Sequence, residues 1–130
     1  MKKLIKQQWL AALRSGDYEQ NKGRLRVGNK FCALGVLVDL HSKASYSKWE
    51  ESEAGWRYLD ADGSNEDYFL TPAVQKWAKL TGPGPKLTYN EVVGVSLVNL
   101  NDGDVYDPKY KGEVPGLSFS ELANLIEEQL

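Results

Sequence analysis

The chain has 130 residues, 42% of them apolar and 26% charged, with a formal net charge of −2 and one cysteine. That length fits one domain, residues 1–130, with enough buried surface to need no metal or disulfide for a core, and a lone cysteine excludes an internal disulfide and fits a reducing compartment. No apolar run approaches the ~18 residues of a membrane span, and Gln7 and Gln8 interrupt what an export signal behind Lys2 and Lys3 would need, so the expectation is a cytoplasmic protein without a membrane partner.

Residues 3–14 read as a helix, because Ile5, Trp9 and Leu13 recur every four positions with Ala12 beside them. Ser15-Gly16 stops it, with Gly16 as a left-handed cap. Residues 17–22 form a polar turn. Leu25 and Val27 alternate with Arg24 and Arg26 as a short half-exposed strand, and Gly28-Asn29 turns the chain so that 30–32 pairs with it. Residues 33–40 are almost wholly apolar. Two valines favour a strand, while Ala, Leu and Gly favour a buried helix, which is the expectation. Gly35 inside that helix costs up to about 1 kcal/mol, and a close helix crossing would offset it.

Residues 42–56, polar with Tyr46 and Trp49 interspersed, read as a surface loop holding at most one helical turn. Trp56, Tyr58, Tyr68 and Leu70 alternate like a hairpin around 60–67. Thr71-Pro72 opens a helix with Val74, Trp77 and Ala78 on its inner face, and residues 81–85 end it. Residues 88–94 fit no template; 95–100 fit a strand or, better, a short helix ending at Asn101-Asp102-Gly103. Residues 103–116 read as a second surface loop. Ser118 and Glu121 form a capping box for a last helix, with Phe119, Leu122, Leu125, Ile126 and Leu130 as its stripe. The fold class expected is α+β: a mostly helical domain with one or two short antiparallel hairpins.

Charge is unevenly spread. Residues 1–30 carry 8 basic and 2 acidic side chains, and residues 31–130 carry 8 basic and 16 acidic. A basic first helix on an acidic body explains this, and an acidic face for a basic partner is the sharper alternative. A basic footprint confined to one end argues against direct nucleic-acid binding.

Cys32 would sit at the start of a buried helix, a place that can activate a thiol. His41, the one histidine, lies nine residues on, about 13 Å along a continuous helix, whereas a Cys–His dyad needs contact near ~3 Å. A buried structural thiol is therefore the favoured reading, with His41 bonding carbonyls at the helix end. One Cys and one His make a poor zinc set. Residues 60–67 place oxygens at calcium-loop positions 1, 3 and 5, but Asn65 and Thr71 stand where an EF-hand needs Gly and Glu, so an acidic turn is expected. Pro83 and Pro85 deprive residues 82–86 of the donors a phosphate nest requires.

The order Trp9-x-x-Ala12-Leu13-Arg14-Ser15-Gly16-x-Tyr18-x-Gln20-x-x-Gly23-x-Leu25, then Phe31-Cys32-Ala33-Leu34-Gly35-Val36-Leu37, resembles a family of small proteins encoded largely by bacteriophages and their bacterial hosts. Leu70-Thr71-Pro72, Leu100-Asn101-Asp102 and Ser118-Phe119 extend the resemblance over most of the chain, with a gap through 42–67. Family members often carry further cysteines just after the position of Cys32, where this chain has Ala33 and Val38, and residues 104–115 look like a longer insertion. The resemblance implies a setting and no reaction: a non-enzymatic phage or prophage accessory protein in the bacterial cytoplasm, binding a host or phage protein, with modulation of host defence as one form. Candidate binding residues are Arg14, Tyr18, Gln20, Tyr46, Trp49, Asn101 and Asp102. Arg14 is expected to pair with Asp102 and Asn101 to cap, or these polar residues share a ligand pocket. No catalytic residue, metal or cofactor is assigned. The alternatives are a small hydrolase or transferase using Cys32 or a carboxylate cluster, and a small-molecule or calcium-binding protein.

Overall fold

The computed structural model describes residues 1–103 and 115–130 in full and, between them, the backbone of two strands. The elements run α1 (Lys3–Arg14), β1 (Glu19–Gln20), β2 (Arg26–Val27), β3 (Lys30–Phe31), α2 (Ala33–Ala44), β4 (Lys48–Ser52), β5 (Gly55–Leu59), β6 (Asn65–Glu66), α3 (Pro72–Ala78), β7 (Lys86–Tyr89), β8 (Val92–Ser96), α4 (Leu97–Asp102), β9 (Val105–Asp107), β10 (Gly112–Val114) and α5 (Phe119–Gln129). β1 to β6 form one six-stranded sheet in the order β1-β3-β2-β5-β4, with β6 also on β5; β7–β8 and β9–β10 are separate hairpins. The α+β class stands, but the expectation of a mostly helical domain with one or two hairpins is wrong. Among the residues described in full, helix makes up 40% and strand 23%, around a six-stranded sheet.

The sequence cues that held are local. Ile5, Trp9, Leu10 and Leu13 bury one face of α1, and Gly16 sits at φ 80°. Thr71 caps α3 by accepting from Val74 N, with Pro72 in the first turn. Ser118 and Glu121 complete their capping box, and Phe119, Leu122, Ala123 and Ile126 are buried. The 88–94 segment that fitted no template is a hairpin, because Asn90 and Glu91 both take positive φ (47° and 69°), the conformation of a tight two-residue turn. Residues 95–100 divide between the end of β8 and the start of α4.

Two expected loops contain strands. In 42–56, α2 runs on to Ala44, and β4 then pairs with β5 from Lys48↔Leu59 to Ser52↔Gly55. Inward Trp49 alternates with exposed Lys48 and Glu50, a period that the density of polar residues masks. In 103–116, β9 pairs antiparallel with β10; residues 104 and 108–111 of that reading lie outside the described residues. The hairpin placed around 60–67 exists in part, as β5–β6 with Tyr58↔Glu66.

Gly35 faces a backbone, not a helix crossing. A Cβ there would fall deep inside the carbonyl oxygen of Leu25, an oxygen that also accepts from Cys32 N at 3.1 Å. The fully buried Leu25 thus lays its main chain across the first turn of α2, which ties the β2–β3 hairpin to that helix. Gly35→Ala should cost about 3 kcal/mol or more, at the upper end of overpacking penalties, since main chain must move. Urea unfolding measures this, and a loss below about 1 kcal/mol would contradict the close approach.

Candidate functional site

The seven residues singled out in the sequence separate into four places. Arg14 does not meet Asp102. Its guanidinium lies on α5, donating to Asn124 Oδ1 at 2.8 Å and pairing with Glu127 at 2.5 Å. Half exposed on both sides, that pair fastens α1 to α5 and contributes little energy by itself.

Gln20, Asn101 and Asp102 do converge. Asn101 Oδ1 accepts from Gln20 Nε2 (2.9 Å) and from Ala33 N (3.1 Å), and its Nδ2 donates to Asn21 O (2.9 Å) and Asp102 Oδ1 (2.8 Å). Asp102 Oδ1 also accepts from Gly23 N, and Gln20 Nε2 from a second direction donates to Leu117 O. The expected capping role of Asn101 is real but serves α2, whose first amide it accepts, and does not tie α1 to α4. Every polar atom of this carboxamide is engaged internally.

Beside it, Cys32 caps α2 with Sγ accepting from Gly35 N at 3.4 Å. The thiol is 1% exposed. Burial pushes it up to about 11, against the opposing pull of the neighbouring backbone amides, so it stays protonated at neutral pH and supplies no nucleophile. His41 is buried too, but its ring nitrogen meets Tyr58 Oη at 2.6 Å and not the helix-end carbonyls. Burial lowers the His41 pKa, partly offset by the charge of Asp60, and burial pushes the Tyr58 phenol up to about 12. Asp60, at the head of the acidic turn, is spent on α3: Oδ1 accepts from Ser47 and Thr71 hydroxyls and Oδ2 from Ala73 N. Asp67 faces Arg24 at 3.1 Å and Arg57 at 3.6 Å. Among the described residues no three His, Cys, Asp or Glu side chains gather as a metal would require.

Tyr18 and Trp49 meet through a residue outside the seven candidates, Asp39 of α2. Tyr18 Oη donates to Asp39 Oδ2 at 2.5 Å, Trp49 Nε1 donates to Oδ1 at 3.0 Å, and Lys43 Nζ lies 3.2 Å from Oδ2. Burial acts to raise the Asp39 pKa, but the hydrogen bonds from Tyr18, Trp49 and Lys43 outweigh it, so the carboxyl lies below its usual range. Tyr18 moves the other way, raised by burial and by its bond to Asp39. Arg26 completes the cluster. Its guanidinium stands 4.1 Å from the Trp56 ring centre, 5.1 Å from Phe31 and 5.5 Å from Trp49, a geometry of cation–π attraction. Phe31 and Trp56 are its cross-strand partners in β3 and β5, so the sheet register itself builds the stack. The alternation expected at Arg24 to Val27 fails beyond Leu25: Leu25 is buried, but Val27 is exposed and Arg26 covers the aromatic face. A lone Asp inside the apolar 33–40 run was the available signal for Asp39; nothing local marked Arg26.

Tyr46 stands apart. It is 97% exposed, in the turn between α2 and β4. Elsewhere, an open groove of about 700 Å³ lies between Met1, Leu130 and residues 79–86, and none of the seven candidates lines it. No helix among the described residues is long and apolar enough to cross a membrane.

The whole chain, residues 1–130, matches the family described as Domain of unknown function (DUF8296), and the chain belongs to that family. No curated protein and no solved structure matches it.

Asp39 yields a test. Its depressed pKa means that its stabilising contribution is present above the unfolded value near 3.8 and is lost as pH falls through the lower folded value. Asp39→Asn should therefore lower stability by about 2 kcal/mol at pH 7, with the gap from wild type closing in acid. Chemical denaturation across pH checks this; a gap that stays constant down to the most acidic conditions would contradict a charged Asp39 at the centre of the cluster.

Proposed function

We propose that this member of the family is a non-enzymatic accessory protein that binds another protein through the surface around Tyr46, Trp49 and β4. The observation that carries the reading is Tyr46, fully presented to solvent two residues before a strand whose Trp49 is anchored on Asp39. An exposed aromatic on a rigid support is the composition of a recognition hot spot. The internal engagement of Cys32, His41, Asp60 and Asp102 supports binding over catalysis, since each is committed to holding the fold. Phage or prophage origin, a bacterial cytoplasmic setting and action on a host or phage protein, host defence included, rest on the resemblance of the Trp9 to Leu37 block. Gln20, Asn101 and Asp102 act in this reading as the frame, and Arg14 as a fastening between helices.

Tyr46 is the residue to change, because Trp49→Ala would also break the Asp39 cluster. In affinity capture from bacterial lysate followed by binding of the purified partner, Tyr46→Ala should weaken the complex at least about tenfold with an unchanged unfolding midpoint. Equal binding by wild type and Tyr46→Ala would contradict the assignment of this surface.

A further inference from the structure

The two ends of the large sheet differ. At one end β1 is two residues long. At the other, β4 offers five residues, all paired to β5 on its inner side, and it closes the strand order with no strand on its outer side among the described residues. Such an edge leaves main-chain donors and acceptors facing outward, a ready template for another strand. The β7–β8 hairpin is a poorer template. Its register shifts between Leu87 and Tyr89, and the Gln129 side chain already bonds both the N–H and the carbonyl of Thr88.

Charge selects the occupant. Glu50, Glu51 and Glu53 are exposed along and just beyond β4, with Lys48 the one basic residue of the strand. Residues 44–67 carry seven acidic and two basic side chains. A second copy of the chain pairing edge to edge would set Glu50 and Glu51 against their own kind, and like charges directly opposite repel. A basic strand would instead set Lys or Arg against them. Tyr46 offers its ring to the next cation along. The edge is also held in place before binding, since Trp49 is bonded to Asp39 at 3.0 Å and its ring packs on Tyr58 at 5.0 Å between centres, which lowers the ordering cost of association.

We infer that the open edge of β4 receives an extended Lys/Arg-rich segment of the partner protein as an added strand of the sheet. This rests on the protein-binding reading above and names its surface and the chemistry of its partner. The probe is a blocked ten-residue peptide of lysine pairs separated by single threonines, which presents lysine on both faces of a strand, added to the full chain and followed by titration calorimetry and by amide hydrogen exchange. Binding should slow exchange at Trp49 to Ser52. The double variant Glu50→Lys, Glu51→Lys should weaken binding about tenfold at an unchanged unfolding midpoint. N-methylation of two adjacent central residues, which keeps the charge but blocks both peptide edges, should abolish binding and protection together. Equal binding by the methylated peptide, protection located elsewhere, or no binding of the probe would overturn strand addition. Any of these alongside Tyr46-dependent capture of a partner leaves the protein-binding reading standing, so the two fail separately.

Discussion

Where four segments converge, the carboxamide of Asn101 uses its whole hydrogen-bonding capacity: two acceptances at Oδ1 and two donations at Nδ2. At 1% exposure no water competes, and the low dielectric strengthens each bond while making any unmet one expensive. The four partners belong to β1, to the loop before β2, to the start of α2 and to α4 itself. Ala33 N is one of the amides that a helix N-terminus leaves without an internal partner, so the side chain closes α2 from a residue 68 positions away. Gly116 approaches the same place so closely that a Cβ would come within 2.5 Å of Asn101 O.

Register passes outward from this point. Asn101 and Asp102 hold Gln20, Asn21 and Gly23; Asn21 N bonds Phe31 O at 2.9 Å, and β1 lies parallel to β3. β3 then fixes β2, and β2 sets Arg26 against Phe31 and Trp56. The aromatic cluster is thus the far end of a chain of pairings that starts at a buried amide. Trp49 reaches the cluster from β4 and closes it on Asp39. The proposed recognition surface thus has its inner side committed to the cluster, while Tyr46 and the outer edge of β4 face outward.

What the sequence revealed follows from range. Caps, stops and helical stripes depend on neighbours within four residues, and Gly16, Thr71, Ser118 and Leu13 behaved as expected. The sheet depends on pairings such as Arg26↔Trp56 between segments that alone look like loops. Two-residue strands such as β1 and β6 carry no period at all. The same limit governs the site. Tyr18, Gln20, Asn101 and Asp102 stood out beside expected helix ends and Trp49 as an aromatic in the polar 42–56 segment, but their partners did not. Arg14 was assigned to Asp102 and belongs to Glu127, because a charge names no partner without the packing that brings one near. Asp39 and Arg26 draw their roles mainly from side chains on other elements, Tyr18 and Trp49 for the carboxylate and Phe31, Trp49 and Trp56 for the guanidinium.

The most direct measurement is equilibrium unfolding of Asn101→Asp as a function of pH. The change keeps the shape, removes both Nδ2 donations and sets a carboxylate against Asp102. A loss of about 3 kcal/mol or more is expected at pH 7 for the orphaned groups and the added charge. Crowding by Asp102 raises the folded-state pKa of the introduced carboxyl, so the deficit relative to wild type should shrink as pH falls through that raised value and the group protonates. Stability within about 0.5 kcal/mol of wild type at pH 7 would contradict the central place given to this amide.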